Sequence, residues 1–201
     1  MGSPHLVLLG DSIFDNAAYT GGEPDVVAHL RSVMPPGWRA TLCAVDGATT
    51  AGLPAQVQRA PRDATHLIIS IGGNDALQHV HLLSARVSST VAALEAFARP
   101  RDAFAANYRS ALGVAAALQK PIVVCTIYNG RLEPEVATAA RMALSFFNDT
   151  IYSVANELSV PVIELRSVCD EASDYANPIE PSGTGGRKIA RAIVRAIAAQ
   201  G

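Results

Sequence analysis

Five short apolar runs, at residues 5–9, 40–45, 66–71, 121–127 and 160–165, are each followed by a stretch of helical or turn-rich character. This order constrains the chain more than any other feature. Each run is rich in Val, Ile or Leu without polar–apolar alternation, the pattern of strands covered on both faces. Helical patterns fall at 25–33, 51–59, 76–119, 133–158 and 185–199, and in the last Ile189, Ile193 and Ile197 form one apolar stripe. Strands alternating with helices imply parallel βαβ units, and right-handed crossovers place helices on both faces of the sheet. Pro100 is expected to divide 76–119 into two helices, the second beginning at Arg101-Asp102.

Composition narrows the possible functions. The chain has 201 residues, so a single domain over 1–201 is expected, long enough to bury a core without disulfides or metals. Apolar residues make up 49% and charged residues 17%, which excludes a disordered chain. Sixteen basic and eighteen acidic residues leave a net charge of −2, so nucleic acid is not an expected partner. The apolar start Leu6-Val7-Leu8-Leu9 stops at Gly10 without a positive flank, and no run reaches the ~18 residues of a spanning helix. A cytoplasmic location without membrane contact is therefore expected. Cys43, Cys125 and Cys169 have no zinc or redox spacing; Cys43 and Cys125 lie in strand-like runs and read as buried, inert thiols.

In an open parallel sheet, sites form beyond the carboxyl ends of the strands. The first strand is followed there by Gly10-Asp11-Ser12, the second by Asp46-Gly47-Ala48, the third by Gly72-Gly73-Asn74-Asp75 and the fourth by Tyr128-Asn129-Gly130. After the fifth, with a delay, comes Asn177-Pro178-Ile179-Glu180-Pro181-Ser182. Ser12 follows a tight turn, where a hydroxyl can act as nucleophile or simply cap a helix. The N–H of Gly47 and the side-chain amide of Asn74 are the donor types that an oxyanion needs, though a turn glycine and a capping asparagine are the plainer roles. No GxSxG elbow and no GxxxxGK[ST] loop occurs, which disfavours the ordinary α/β-hydrolase pattern and phosphoryl transfer.

These residues resemble the SGNH hydrolase family, the GDSL esterases and lipases. Gly10-Asp11-Ser12 matches the first block, Gly47 the glycine of the second, and Gly73-Asn74-Asp75 the third. Residues from Asn177 to Ser182, with Gly185-Gly186 and Lys188-Ile189-Ala190, resemble the last. The resemblance implies a three-layer α/β/α flavodoxin-like fold with a five-stranded parallel sheet. It also implies ester hydrolysis through an acyl-enzyme on Ser12, the oxyanion being held by Ser12, Gly47 and Asn74. It implies a small-molecule ester substrate and no cofactor.

The last block departs from the family pattern Asp-x-x-His, which here reads Asn177-Pro178-Ile179-Glu180. Glu180 then stands as the catalytic base, with Asn177 orienting it by its amide; burial or the charges of Asp11 and Asp15 would raise its pKa toward a useful value. A competing reading gives the base role to His79 or His81. His5 and His66 fall on the wrong rim, and His29 is expected on the surface. In a third reading Asp11, Asp15, Asp75 and Glu180 bind a divalent cation; the favoured assignment has no metal. A non-catalytic ligand-binding protein on the same fold is the alternative from another functional class. Phe14, Tyr19 and Tyr128 are candidate pocket residues. The loops at 20–24, 77–83 and 129–133 are expected to set specificity. The oligomeric state is left open.

Overall fold

The structure, a computed structural model, describes residues 3–200. One sheet holds five parallel strands, β1 (His5–Gly10), β2 (Arg39–Leu42), β3 (His66–Ser70), β4 (Ile122–Cys125) and β5 (Val162–Ile163), in the order β2-β1-β3-β4-β5. This is the flavodoxin-like order, with its switch point between β1 and β3. The register pairs Leu8 with Leu42 on one side and with Ile68 on the other, and Gly10 with Ser70.

The absence of alternation in the strands has a direct cause. Leu6 and Leu8 pack with α1 (Val26–Val33) and α7 (Gly183–Ala198) on one face of the sheet. Val7 and Leu9 face the other layer, formed by α2 (Leu53–Gln58), α4 (Thr90–Ala116) and α5 (Pro134–Glu157). Every residue of β1 is therefore buried. Ile189, Ile193 and Ile197 on α7 are buried, as their spacing requires. Ser182 caps that helix by accepting a hydrogen bond from the Gly185 N–H at 3.2 Å. The three-layer α/β/α architecture thus agrees with the sequence reading. Two short helices, α3 (Gly73–Leu77) and α6 (Leu165–Val168), complete the set.

Pro100 does not break a helix. It lies inside α4, which runs unbroken from Thr90 to Ala116. The interruption comes earlier, at residues 85–89, between a 3₁₀ turn (Val80–Ser84) and the N-cap Ser89, whose hydroxyl accepts from the Ala92 N–H at 3.1 Å. A proline removes the donor to the carbonyl four residues back and crowds that carbonyl, at a local cost of about 3 kcal/mol. Here the buried half of the helix, with Phe104, Tyr108 and Leu112, holds the whole in register. The edge strands are also shorter than their apolar runs. Beyond Leu42 the N–H groups of Cys43 and Ala44 both bond the Leu8 carbonyl, at 2.8 and 2.9 Å. At the other edge the chain turns into α6 after Ile163.

The end of β1 sets where the site begins. Gly10 has φ +134°, and a Cβ there would lie 1.7 Å from the Ser70 carbonyl oxygen. Buried Gln56 clamps the same residue, accepting from its N–H at 2.7 Å and donating to its carbonyl at 2.8 Å. We expect Gly10→Ala to cost more than about 4 kcal/mol in a urea melt, in the exceptional tail of single substitutions. Gly21→Ala, at φ +64° but with nothing within 4 Å of its added methyl, should cost only ~1–2 kcal/mol. Equal losses would show that backbone torsion alone, and not the close approach to Ser70, requires glycine at position 10.

Candidate active site

The polar residues singled out in the sequence gather at the carboxyl rim of β1, β3 and β4. Ser12 sits on the first turn after β1 and is only 8% exposed. Among the described residues its backbone N–H donates to no group, and neither does that of Gly47. Gly47 occupies an exposed turn closed by the Ala48 N–H to the Val45 carbonyl at 3.1 Å, with φ +75°. The Asn74 side chain on α3 donates to the Ala48 carbonyl at 3.0 Å, tying itself to that turn while one of its two N–H groups stays free.

Glu180 is 5% exposed and lies against Ser12, whose hydroxyl lowers the pKa of the carboxyl. Burial has the larger effect and nearby Asp46 adds to it, so that the Glu180 pKa stands at about 7. Its Oε2 has no hydrogen-bond partner among the described residues. The backbone around Glu180 is held firmly. Asn177 Oδ1 accepts from the N–H groups of Ile179 and Glu180, each at 2.9 Å, and the Glu180 carbonyl accepts from the Ala176 N–H at 2.9 Å. The Asn177 side-chain amide thus holds Glu180 by its backbone N–H and not by its carboxyl. Tyr128 donates its hydroxyl to the Ile179 carbonyl and packs edge-on against Tyr175, with ring centroids 5.2 Å apart.

Asp11 is buried behind Ser12. Burial raises its pKa to about 7; the Ile13 N–H, donated to Oδ1 at 3.2 Å, opposes this, and the charges of Glu180 and Asp75 add to it. Asp75 itself is engaged, accepting from the Thr50 hydroxyl at 2.6 Å and the Thr50 N–H at 3.0 Å. Asp15 accepts from the Asp46 N–H at 3.0 Å. Among the described residues no group of three or more His, Cys, Asp or Glu side chains is arranged to hold a metal.

Ser12, Asn74 and Glu180 lie on the wall of a cavity of about 350 Å³ that runs between the 3₁₀ turn, α4 and α5. Its lining is mostly apolar, including Leu83, Phe97, Leu144 and Phe147, and its only acidic side chains are Asp11 and Glu180. The loops at 77–83 and 129–133 contribute to it, but that at 20–24 does not. Tyr128 lines it. Phe14 is instead fully buried in the core, and Tyr19 donates to Asp46 at 2.6 Å. His79 reaches the cavity wall, whereas His81 is exposed and outside it. His5 and His66 begin their strands at the opposite rim. His29 is half-buried and not fully in solvent: it packs beside Gly186 on α7, and its Nε2 is buried without a partner among the described residues. Cys125 and Cys169 are buried, with thiol pKa values pushed up by burial, while Cys43, just beyond the edge strand β2, is only half-buried.

The side chains that hold the rim are largely ones the sequence reading passed over. Asn16, fully buried, donates to the Pro181 carbonyl at 3.1 Å and accepts from the Val26 N–H at 3.0 Å. Asn148 on α5 clamps Ile127, accepting from its N–H at 2.8 Å and donating to its carbonyl at 2.9 Å. An amide inside an apolar stripe was the one available signal.

Residues 8–188 match the GDSL-like lipase/acylhydrolase family. The chain belongs to that family. No curated protein sequence matches it. Solved structures share its fold at low identity. An extracellular lipase from Streptomyces rimosus superposes with TM-score 0.71 at 17% identity, covering 98% of this chain and 99% of its own. An acetylxylan esterase from Geobacillus stearothermophilus gives 0.67 at 23%, covering 98% and 95%. A psychrotrophic esterase from Pseudoalteromonas sp. gives 0.70 at 15%, covering 98% of each. This GDSL hydrolase is thus an ester hydrolase by family. No helix among its described residues is long and apolar enough to cross a membrane.

The raised Glu180 pKa has a consequence for stability. A carboxyl whose pKa is higher folded than unfolded supports the fold while protonated. That contribution is complete below the ordinary value near 4.5 and is lost as pH rises through about 7. Glu180→Gln in the GDSL hydrolase should therefore raise the Tm at pH 8, with the gain closing by pH 4. Calorimetric scans at the two pH values check this; an equal difference at both would place the titration outside the window.

Proposed function

We propose that this GDSL hydrolase cleaves carboxylic esters through an acyl-enzyme on Ser12, with Glu180 as the general base where the family pattern has histidine. The observation that carries the reading is the Ser12 hydroxyl lying against a buried carboxyl with pKa about 7 beside an apolar cavity. A free glutamate is too weak a base for a serine hydroxyl at neutral pH, and burial removes much of that handicap.

In this mechanism Glu180 takes the Ser12 proton as Oγ attacks the ester carbonyl. The N–H groups of Ser12 and Gly47 and the free N–H of Asn74 receive the developing oxyanion. Glu180 returns the proton to the departing alcohol. It then activates a water, or an acceptor alcohol, that releases the acyl group. Asn177 keeps Glu180 in place through the two N–H bonds it accepts.

The substrate class follows from the cavity. About 350 Å³ accommodates on the order of ten groups the size of a water or methylene, at roughly 30 Å³ each. The lining holds no lysine or arginine to pair an anionic acyl group. The ester is therefore one with an uncharged acyl chain of small to medium length.

A fluorophosphonate should label Ser12, and Ser12→Ala should lower kcat on p-nitrophenyl butanoate by on the order of 10³-fold or more. Unchanged turnover in Ser12→Ala removes the nucleophile, and saturable ligand binding without turnover in the native enzyme favours a binding protein. Glu180→Gln should lose about 10²–10⁴-fold, far more than His79→Ala or His81→Ala. The reverse ranking moves the base to the histidine segment. kcat/KM should rise with pH to a plateau, half-maximal near pH 7, because the base works deprotonated. Along the p-nitrophenyl esters from acetate to octanoate, kcat/KM should climb by up to about fourfold per methylene, the worth of ~0.8 kcal/mol of burial. A flat or falling series overturns the acyl-cavity assignment while leaving Ser12 in place.

A further inference from the structure

We infer that Phe97 on α4 and Ala140 and Ala143 on α5 set the length of acyl chain that the enzyme accepts. The inference rests on the cavity beside Ser12 being the acyl site, as proposed above, and names the residues that fix its extent.

The cavity exists because two helices outrun the sheet. α4 and α5 lead into β4 and β5, so each runs back from the carboxyl rim, antiparallel to the strands. Two contacts mark where they pass that rim. Phe104 of α4 lies against Gly72, just beyond β3, where a Cβ would come within 2.9 Å of its ring. Asn148 of α5 holds Ile127, just beyond β4. Residues 90–103 and 134–146 therefore extend past the rim, each as about 20 Å of helix at ~1.5 Å per residue. None of the first group is buried, and of the second only Ala137 and Ala140 are.

One face of α5 changes its side chains at this boundary. Val136, Ala140, Ala143, Leu144 and Phe147 line the cavity, at the three- and four-residue spacing of a single helix face. The same face continues below the rim as Ile151 and Val154, both buried in the core. Where the helix has a sheet to cover, its stripe is bulky. Where it faces the cavity, two positions carry only a methyl group. α4 supplies Phe97 to the other wall, braced by Phe146 with ring centroids 5.7 Å apart. The alanines leave room, and the phenylalanine limits it.

Alanines alone would mean little, since alanine favours any helix. Their meaning comes from what shares the cavity wall: Ser12, and Glu180 with its buried Oε2 that has no partner among the described residues. A leucine adds three carbons to an alanine, about 90 Å³ at roughly 30 Å³ each, against a cavity of about 350 Å³. That is the room of about three methylenes out of the ten or so that the cavity holds. A decanoyl chain then fills the native cavity, whereas a hexanoyl chain stops short of its limit. Trimming Phe97 has the opposite effect and admits a longer chain.

The ratio of kcat/KM for p-nitrophenyl decanoate to that for the hexanoate tests this, because a general loss of activity cancels in it. Ala140→Leu and Ala143→Leu should each lower the ratio by about tenfold or more, up to about 60-fold for three methylenes at about fourfold each. Ala143 is only half-buried, so leucine there intrudes less on helix packing than at buried Ala140. Phe97→Ala should act the other way, raising the dodecanoate-to-decanoate ratio by up to about 15-fold. Titration calorimetry with 1-decanol and 1-hexanol reads the cavity without turnover. The affinity ratio of the two alcohols should fall in the leucine variants by a similar factor, so a folded variant that has lost activity still decides the point. Equal losses for short and long chains, with the ratios unmoved, mean that these residues only hold the helices together; that result overturns the inference while the acyl cavity stands. A native ester series that does not climb with chain length removes the acyl cavity itself, and this assignment with it.

Discussion

The two-bond clamp of Gln56 on Gly10 is the contact on which the site's position depends. β1 ends pressed against β3, where only glycine fits beside the Ser70 carbonyl. The Gly10 N–H would be left without a partner unless a side chain supplied one, and the Gly10 carbonyl, which accepts from the Val45 N–H at 3.1 Å, has room for a second donor. Gln56 meets both needs from a neighbouring helix. The chain can then leave the sheet abruptly and present Ser12 at the rim instead of continuing the strand. Asn148 does the same for Ile127 after β4, and Asn16 joins the first loop to the last. Each is a buried neutral amide with both ends satisfied, so each positions backbone without adding charge. Removing one leaves buried peptide groups unpaired, at roughly 1–3 kcal/mol per group.

Neutral supports matter because the site itself is acidic. The charges of Glu180 and Asp75 raise the pKa of Asp11, that of Asp46 raises the pKa of Glu180, and among the described residues neither Asp11 nor Glu180 enters an ion pair. An arginine or lysine in the first support layer would pull the carboxyl pKa values down and weaken Glu180 as the proposed base. The amides hold geometry and leave the electrostatics alone. Destabilisation confined to such a site is tolerable because the two-sided core is extensive.

Much of the fold could be read from residue pattern, because the quantity that determines a buried parallel strand is apolar density, which a sequence displays. The strand runs, the α7 stripe and the rim loops all follow from it. What could not be read depends on contacts between distant segments. Pro100 was expected to end a helix, since local backbone chemistry disfavours it there, but tertiary packing of Phe104, Tyr108 and Leu112 outweighed the lost bond. His29, expected on the surface, is half-buried, because glycine at 186 leaves room for one edge of its ring against α7. Gln56, Asn16 and Asn148 show in the sequence at most as amides among apolar residues, and nothing local names their partners, which lie 46, 165 and 21 residues away. The place of Ser12 and Asn74 at the rim was legible for the opposite reason: each follows a strand end, and topology alone brings strand ends to one rim, whereas α6 and a 3₁₀ turn separate Glu180 from β5.

The pair Asn177 and Glu180 differs from the family's Asp-x-x-His at both positions, and the geometry gives the two changes a common reason. With imidazole as base, an acidic residue three positions earlier faces a group that becomes cationic, and its charge is useful. With a carboxyl as base, the same charge would oppose ionisation and burial together. Asparagine keeps the acceptor oxygen that closes the turn, on the N–H groups of Ile179 and Glu180, and drops the charge. Orientation passes from side chain to main chain, with the Ala176 N–H fixing the Glu180 carbonyl from the other side. On the proposed mechanism a base held through its backbone needs no third member of a triad. Its basicity must then come from what surrounds the carboxyl: the burial it shares with Asp11 and the absence of any cation on the cavity wall.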